Sequence, residues 1–453
     1  MNTKALRQKI LDLAIHGKLV PQDPNDEPAS VLLERIRAEK ERLIKEGKIK
    51  KPKKSKAACD KPHYPFELPK GWGWTTLGEV ISIKSGNAIK VRNNKNGSFP
   101  IYGGNGISGY SDEYNIDKPT IVIGRVGFYC GSIHYVKSKA WVTDNAFITS
   151  TYGNVYDIDF LYYLLTYCNL RQYSNSTAQP VISGKTIYPV HVPVPPIKEQ
   201  RKIVEKIEFW LLCISQLEFS QSKVKSTIKQ AKSKILDLAI HGKLVPQDPN
   251  DEPASELLKR INPKAEITCD NHQYGKLPKG WCLCHIPDVA NTLLGKTLDR
   301  SKNTGTPKDY LCAINVLWGK FDFTTHKQFL LEKNEYERYA VMKGDLMVCE
   351  GGDVGRCAIW EDDSKEIYYQ NALHRIRCKE GVFNYYILYL LWHYKLNGTI
   401  DYLCKGVTIK HFTQTVMNKL DILLPPFEEQ KRIVTKIEEL FAQLDKIESS
   451  LQA

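Results

Sequence analysis

The stretch KILDLAIHGKLVPQDPNDEPAS occurs twice in this chain, at residues 9–30 and again at residues 234–255. The two copies are identical, and no other part of the chain repeats with comparable identity. Self-similarity of this kind at a fixed offset indicates a duplicated architecture. We therefore interpret the 453 residues as two similar globules whose parts have diverged unequally.

Two further pairs of motifs follow the same order along the chain. LPKGW occurs at residues 68–72 and 277–281, and PPxxEQ occurs at residues 195–200 and 425–430. LPKGW opens each globular region and PPxxEQ closes it, so these motifs and the 22-residue segments form one repeated frame. The predicted domains are N-terminal scaffold helices at 1–46, a basic linker at 47–67, a first globule at 68–196, a central long helix and turn segment at 197–262, a second globule at 263–426 and a C-terminal scaffold helix at 427–453.

A long helix at about 198–241 is the clearest prediction of secondary structure. Its apolar residues recur at spacings of four and three, the pattern of a coiled-coil seam. The seam positions are Ile203, Ile207, Trp210, Ile214, Leu217, Gln221, Val224, Ile228, Ala231, Ile235 and Leu238. At 1.5 Å per residue such a helix is about 65 Å long, more than one globule needs for its own core.

The C-terminal segment carries the same seam, at Ile433, Ile437, Leu440, Leu444, Ile447 and Leu451. By the offsets between the repeats, Ala453 corresponds to position 223 of the central helix and Met1 to position 226. The two terminal helices would therefore together form a second central helix. This pattern predicts a circularly permuted repeat with pseudo-two-fold symmetry.

Each globule shows many short β-like runs separated by glycine-rich turns, followed by one amphipathic helix, at 157–168 in the first globule. This mixture favours an α+β arrangement built on a bent sheet or partial barrel. The predicted fold class is α+β, with two mixed α/β globules held apart by two long antiparallel coiled-coil helices.

Charge favours a polyanionic partner, because the formal net charge is +13 and the isoelectric point is about 9.0. Six of the nine residues at 48–56 are lysines, which fits either a solvated linker or a non-specific phosphate contact. The 12 cysteines form no CxxC pair, so we expect reduced thiols and no metal site. Apolar runs fall short of the roughly 18 residues of a membrane span, and no apolar signal segment follows Met1. We expect a cytoplasmic chain with no membrane partner.

Taken together, the paired LPKGW, PPIKEQRKIVEKI and ILDLAIHGKLVPQDP segments resemble the specificity (S) subunits of type I restriction-modification systems. The resemblance frames the whole chain. It implies that the globules are target-recognition domains, each reading one half of a split asymmetric sequence in double-stranded DNA. It also implies that the helices form a spacer and bind two methyltransferase (M) subunits, to which restriction (R) subunits are added.

The resemblance further implies that this chain does no chemistry. Its own cofactor set would be empty, with S-adenosylmethionine, ATP and Mg expected on partner subunits only. The sequence agrees, since it has no [DNS]PP[YFW] tetrapeptide in a suitable context and no GxxxxGK[ST] loop. The acidic run EDDSK at 361–365 reads as a hairpin tip. We expect no catalytic residue.

Base readout needs side chains with paired donors or acceptors on presented loops: arginine or lysine for guanine, asparagine or glutamine for adenine. The candidate DNA-binding residues are Lys84, Ser85, Asn87, Lys90, Asn105, Ser108, Arg125, Ser183 and Lys185 in the first globule, and Lys296, Arg300, Arg356, Lys405, Thr408 and Lys410 in the second. Two asparagines in similar places, Asn145 and Asn371, read as contacts or as buried turn caps, with the caps preferred.

Two other functions remain open at this point. The chain could be a coiled-coil adaptor between proteins, with the globules as peptide-binding modules. It could also be the specificity subunit of a modification-only methyltransferase. Salt-sensitive binding to one split duplex sequence would separate the adaptor from both DNA-reading functions.

Overall fold

A computed structural model describes residues 2–47, 64–88, 97–153, 155–175, 180–268, 270–271, 275–299, 301, 303–404 and 411–451. The chain divides into two compact units, Met1–Ser220 and Gln221–Ala453. We call them unit 1 and unit 2. The lysine-rich run at 48–56 lies outside the described residues.

Unit 1 is a mixed α/β unit with helices at both ends. Its helices are α1 (Thr3–Ile15), α2 (Ala29–Lys45), α3 (Leu77–Val80), α4 (Ile158–Tyr167), α5 (Gly184–Ile187) and the first part of α6 (Ile197–Ile240). Its strands are β1 (Gly73–Thr76), β2 (Ile81–Ser85), β3 (Phe99–Gly103), β4 (Gly106–Ser111), β5 (Thr120–Gly124), β6 (Ile133–Val136), β7 (Trp141–Val142), β8 (Ala146–Thr151) and β9 (His191–Val194). A short 3-10 helix spans Leu170–Tyr173.

Unit 2 begins with the last part of α6. Its other helices are α7 (Ala254–Ile261), α8 (Ile286–Val289), α9 (Tyr336–Tyr339), α10 (Asn384–Leu396), α11 (Thr399–Leu403), α12 (Gln414–Asn418) and α13 (Phe427–Ser450). Its strands are β10 (Asp270–Asn271), β11 (Gly275–Lys276), β12 (Cys282–His285), β13 (Ala290–Leu294), β14 (Thr306–Leu311), β15 (Val316–Leu317), β16 (Lys320–Phe321), β17 (Gln328–Leu331), β18 (Leu346–Cys349), β19 (Cys357–Ile359), β20 (Tyr368–Tyr369), β21 (Leu373–Cys378) and β22 (Asp421–Leu424). Two 3-10 helices span Ala313–Asn315 and Lys333–Glu335.

The two units share one strand topology although their globule sequences have little in common. A four-stranded antiparallel sheet has the order β2-β8-β5-β6 in unit 1 and β13-β21-β18-β19 in unit 2. A three-stranded mixed sheet has the order β4-β3-β7 in unit 1 and β17-β14-β20 in unit 2. A closing pair joins β1 to β9 and β12 to β22. The closing pair brings the LPKGW end of each globule next to its PPxxEQ end.

Each unit contains a pair of antiparallel helices from its two ends. In unit 1, Arg7 of α1 forms a 2.9 Å ion pair with Glu218 of α6. In unit 2, the Gln221 side chain of α6 donates to the Leu451 carbonyl at 3.0 Å, and Lys232 forms an ion pair with Asp445 of α13. Each unit therefore starts with the repeated segment and ends with the helix that follows PPxxEQ. The predicted α+β fold with long helices and a permuted repeat is confirmed at this level.

The seam of α6 runs differently from the prediction at two positions. Ile207 and Ile214 are buried as expected, but Trp210 and Leu217 are 41% and 46% exposed. The line of contact passes the half-buried Leu211 instead of Trp210. A straight α-helix advances 3.6 residues per turn, so a strict 3.5-residue pattern drifts off the buried line. The ion pair of Arg7 with Glu218 shows that the contact of α6 with α1 continues from Ile214 to Glu218.

A hydrophobic core in each unit joins the scaffold helices to the globule. In unit 1 it contains Ile15 of α1, Leu161 of α4 and Ile203 of α6. In unit 2 the equivalent core joins Ile240 of α6 to Ile433 of α13 and to the sheets. The globule is thus built onto its own pair of helices, so the frame fixes the orientation of the loops within each unit.

Candidate nucleic-acid interface

In unit 1, three loops meet at one end of the four-stranded sheet. Strands β2 and β5 both end there, at Ser85 and Gly124, and β8 begins there after the turn 143–146. An added Cβ on Gly86 would lie 2.3 Å from the Val142 carbonyl oxygen, so only glycine allows this close approach of the loops. We call this end of the sheet the loop edge of unit 1.

Arg125 stands at the centre of this loop edge. Its backbone N–H donates to the Asn145 carbonyl at 2.9 Å, and its guanidinium donates to Ser85 Oγ at 3.2 Å. The guanidinium also lies 5.5 Å from the centre of the Phe147 ring. The side-chain hydrogen bonds of Arg125 both use Nη1, so three of its five N–H donors, on Nη2 and Nε, are not engaged by these contacts. The arginine is therefore held in position and can still present a bidentate pair of donors to a base edge.

Most of the other predicted residues of the first globule lie on strands and loops that adjoin this edge. Lys84 and Asn87 are exposed next to Ser85 on β2 and the following loop. Asn105 is exposed in the β3–β4 turn, whose Gly104 approaches the carbonyls of Val126 and Asn145.

Ser108 is exposed on β4 and donates its hydroxyl to the Ile101 carbonyl at 3.3 Å. The Ile182 N–H donates to the Arg125 carbonyl at 3.0 Å, and this places Ser183 beside the loop edge as the N-cap of α5. Lys185 is exposed on that helix. The predicted residue Lys90 lies outside the described residues. Of the predicted residues in unit 1, Arg125 and Ser85 are therefore in direct side-chain contact, and DNA binding by the whole set stays a prediction.

The candidate residues predicted from the sequence do not include two exposed aromatic residues near this loop edge. Phe128 and Tyr129 are 67% and 48% exposed on the loop after Arg125, and their rings pack edge to face with centroids 5.0 Å apart. The Arg171 guanidinium lies 4.6 Å from the Phe128 ring centre. Large aromatic side chains left in solvent on a glycine-flanked loop are typical of binding surfaces. In the sequence, these two aromatics are visible as part of GRVGFYC at residues 124–130, directly after the predicted Arg125.

The loop edge of unit 2 is built in the same way from different residues. Strands β13 and β18 end there, and an added Cβ on Gly295 would lie 2.3 Å from the Gln370 carbonyl oxygen. Two backbone bonds repeat those of Arg125: Glu350 N–H donates to the Ala372 carbonyl at 2.9 Å, and Phe412 N–H donates to the Glu350 carbonyl at 2.7 Å. Glu350 thus takes the place that Arg125 holds in unit 1.

Glu350, like Phe128 and Tyr129, is absent from the residues that the sequence predicts. It is half-buried, and burial raises the pKa of its carboxyl group while the charge of His411 lowers it. A carboxylate accepts hydrogen bonds, as from the amino group of cytosine, whereas a guanidinium donates them. Equivalent positions in the two units therefore carry opposite hydrogen-bonding chemistry.

Lys296 and Arg356, the two predicted residues of the second globule that are described, both have internal partners. Lys296 forms an ion pair with Glu335, and its side chain is largely buried. Arg356 donates to the Ala313 carbonyl at 2.7 Å, and its Nε is buried. Their residue type suggested base contacts, but both side chains hold loops of unit 2 together. Arg300, Lys405, Thr408 and Lys410 lie outside the described residues.

The asparagines Asn145 and Asn371 occupy matching turns at the two loop edges. Asn145 is exposed and Asn371 is half-buried. The preferred interpretation, that both asparagines are buried turn caps, is therefore wrong because neither side chain is buried. The EDDSK run is a loop between β19 and β20, which pair in different sheets, so it is not a hairpin tip.

Among the residues described, no group of three or more His, Cys, Asp or Glu side chains could hold a metal ion. Within the same residues, none of the helices is long and apolar enough to cross a membrane.

Below each loop edge, the frame contains a buried tryptophan–glutamate pair. Trp72 and Trp281 of the two LPKGW motifs each donate the indole N–H to a glutamate of PPxxEQ at 3.0 Å, to Glu199 and Glu429 respectively. Burial raises the pKa of Glu199, and hydrogen bonds from Gln22 and Trp72 lower it. Burial likewise raises the pKa of Glu429, and hydrogen bonds from Trp281 and Gln247 lower it. The conserved geometry of the two pairs shows that the frame is preserved down to single hydrogen bonds.

The family model for the type I restriction modification DNA specificity domain matches residues 69–237 and 278–453. The chain belongs to this family. It is a type I restriction-modification specificity subunit by this match, which covers most of its length.

Two curated relatives extend the likeness to nearly the whole chain. The EcoAI and EcoEI specificity subunits of Escherichia coli are each 27% identical to it. The alignments cover 98% and 99% of this chain and 90% and 91% of those proteins. The specificity subunit is also similar in fold to one chain of a solved structure. The description of that structure concerns complex assembly and conformational transition of the type I restriction-modification system. That likeness has a TM-score of 0.56 at 16% identity, and it covers 86% of this chain and 94% of the other.

Proposed function

We propose that this specificity subunit reads a split, asymmetric sequence in double-stranded DNA, one half with each globule, and contributes no catalytic group. The observation that carries the proposal is the pair of loop edges. Backbone bonds place Arg125 and Glu350 at equivalent points, but one side chain donates and the other accepts. A repeated frame with different reading chemistry suits two different half-sites.

The surface of unit 1 supports direct contact with DNA. Asn87 and Asn105 are exposed on the loops that reach this edge, and the cations Lys84 and Lys185 are exposed on the adjoining strand β2 and helix α5. Lysine would contact phosphates, while arginine and asparagine would contact base edges. The net charge of +13 on the whole chain agrees with a polyanionic partner.

The repeated segments are the proposed docking sites for two methyltransferase subunits. Residues 9–30 and 234–255 are identical, and each begins a unit in the same way. Two identical segments suit two copies of one partner, which would meet the same repeated sequence in each unit. Restriction subunits would complete the nuclease, and S-adenosylmethionine, ATP and Mg would bind to those partners. As part of this proposal, we expect the chain to act in the cytoplasm, where the DNA is.

Binding to a randomised duplex library, in the presence of the methyltransferase partner, tests the proposal. We expect enrichment of one split motif, with affinity that falls steeply as the salt concentration rises. Scrambling one half-site should lower the affinity about 100-fold or more, whichever half is scrambled, because specific protein–DNA complexes bind far more tightly than non-specific ones. Failure to retain any duplex would refute the proposal and leave the protein adaptor as the better function.

A restriction assay then separates the full system from a modification-only one. Cleavage of unmethylated DNA that carries the motif, on addition of the restriction subunit, supports the full system. Methylation without any cleavage would favour the modification-only alternative.

A further inference from the structure

The two copies of the 22-residue segment have the same sequence but different partners. The third residue after each buried glutamate of PPxxEQ is Lys202 in unit 1 and Arg432 in unit 2. Each of these cations faces the aspartate at the same place in its repeat, Asp26 or Asp251. The duplication therefore provides an internal comparison of one acidic site with two different cations.

In unit 2 the acidic site is satisfied by the chain itself. The Arg432 guanidinium donates two hydrogen bonds to the Asp251 carboxylate, at 2.5 and 3.3 Å. These bonds raise the pKa of Arg432 above its ordinary value. A guanidinium is planar and presents parallel donors, so it matches both oxygens of one carboxylate.

In unit 1 the acidic site is not satisfied in this way. Lys202 Nζ stands 3.6 Å from Asp26 and 3.8 Å from Asp23, too far for a hydrogen bond to either. The Asp26 side chain is only 4% exposed, and its Oδ2 accepts no hydrogen bond from the residues described. A buried carboxylate oxygen without a donor is costly, which indicates a missing partner.

Asp26 also contributes to the lining of a cavity. Its volume is about 530 Å³, and its lining includes Asp23, Asp26, Glu199, Trp72 and Lys70. Three carboxylates thus face one lysine in the lining and Lys202 nearby. The balance of charge is acidic, and the tryptophan supplies a flat apolar wall.

We propose that this cavity of unit 1 binds the guanidinium group of an arginine side chain supplied by a protein partner. In unit 2 the chain's own Arg432 already fills the equivalent place. The two repeated segments, identical in sequence, are therefore different as docking surfaces. Only unit 1 accepts an arginine from outside, so a partner that approaches both units would meet one open site and one closed site.

The indole protons of Trp72 and Trp281 give a direct test in the full-length chain. Each tryptophan touches the glutamate beside its acidic site, so its ¹⁵N-labelled indole resonance reports on that site and on the folding of its unit. The probe is N-acetyl-arginine N-methylamide. We expect a saturable shift of the Trp72 resonance and none of the Trp281 resonance, whereas the neutral citrulline analogue should shift neither.

Exchanging the two cations should exchange the response. Lys202→Arg should close the site in unit 1 and abolish the Trp72 shift, and Arg432→Lys should open the site in unit 2 and make Trp281 respond. Asp26→Asn should remove the Trp72 shift, and Asp251→Asn should leave it. Equal responses of Trp72 and Trp281 in the unmodified chain, or a Trp72 response that persists in Lys202→Arg, would overturn the proposal.

A second measurement identifies the source of the arginine and rests on the proposed function. Lys202→Arg should weaken binding of the methyltransferase subunit about 10-fold, while Arg432→Lys should leave it within 2-fold. Equal binding by both variants would overturn the assignment to this partner. If the unmodified chain does not bind the methyltransferase subunit, that result contradicts the proposed function instead. The titration with N-acetyl-arginine N-methylamide still tests whether the cavity binds a guanidinium group.

Discussion

At the scale of single residues, the buried pairs Trp72–Glu199 and Trp281–Glu429 connect the opening of each globule to its closing helix. Each indole N–H satisfies a carboxylate that burial would otherwise destabilise. Removing the donor leaves a buried acceptor without its partner, which costs about 1–3 kcal/mol. The pairs thus stabilise the frame on which the loops depend.

Trp72→Phe should accordingly destabilise unit 1 by about 2 kcal/mol at pH 7. The folded-state pKa of Glu199 is raised above 4.5, so its burial is unfavourable above that pKa and the penalty declines as the pH falls toward 4.5 and below. The Trp72 hydrogen bond stabilises the ionised form, so the loss should be smaller at acid pH. Denaturant unfolding at several pH values measures this, with Trp74→Phe as the control. A loss that does not depend on pH would contradict this role of Glu199.

Arg125 and Glu350 give a paired prediction about reading. Arg125→Ala should weaken binding to the motif about 10- to 100-fold and relax selection in one half-site only, since a bidentate contact is worth about 1–3 kcal/mol. Glu350→Ala should relax selection in the other half-site. Lys185→Ala is the matched control, because loss of a phosphate contact weakens all sequences alike and lowers the salt slope by about 1. Selection from a duplex library measures all three, and relaxation of both half-sites by one variant would refute the pairing.

Residue type alone predicted the first loop edge better than the second. Arg125 and Ser85, both predicted from glycine-containing loops, are in side-chain contact. Lys296 and Arg356 were chosen by the same reasoning, but each is bonded inside unit 2. A sequence does not show which cation has an internal partner. The sequence does not predict Glu350 because the readout rule applied to guanine and adenine names no acidic residue, and its position depends on backbone bonds that no sequence pattern displays.

At the scale of elements, periodicity predicted the long helix well and its buried line less well. The predicted helix at 198–241 is observed as Ile197–Ile240. The heptad pattern also assigned Trp210 and Leu217 to the buried seam, although both are exposed. Apolar character alone does not show where the partner helix lies. In unit 1, the ion pair of Arg7 with Glu218 fixes the contact of α1 with α6.

The shifted line predicts unequal effects of two similar substitutions on α6. Ile214→Ala should destabilise unit 1 by roughly 2 kcal/mol or more, because Ile214 is 4% exposed. Leu217→Ala, one turn further on, should change stability by less than about 0.5 kcal/mol, as expected for an exposed side chain. Thermal unfolding of both variants decides between the structure and the heptad prediction, which assigns them equal losses.

At the scale of the whole molecule, the repeat made the fold class predictable before any local pattern was considered. The frame motifs predicted which ends of each globule adjoin, and strand pairing of β1 with β9 and of β12 with β22 brings those ends together. The shared topology of the two globules was hidden, because their sequences diverged while the order of their strands did not. Backbone hydrogen bonds preserve a topology without preserving side chains.

Replacing residues 68–196 with the equivalent globule of a relative should change one half-site and leave the other intact. The replacement begins and ends at frame motifs that pair in the same way in both units, so the fold should be retained. Sequencing of methylated sites in cells that carry the hybrid measures the outcome. Alteration of both halves would contradict independent reading by the two globules.

The identical borders of the two units also have a consequence for inheritance. The segments at 9–30 and 234–255 stand at the same structural point of each unit, so a genetic crossover between their coding sequences stays in register with the fold. Between two copies of the gene, an exchange at residues 234–255 would join the first globule of one chain to the second globule of the other. New combinations of recognition specificity then arise in one step, with the sequence of the repeated segment passed on unchanged.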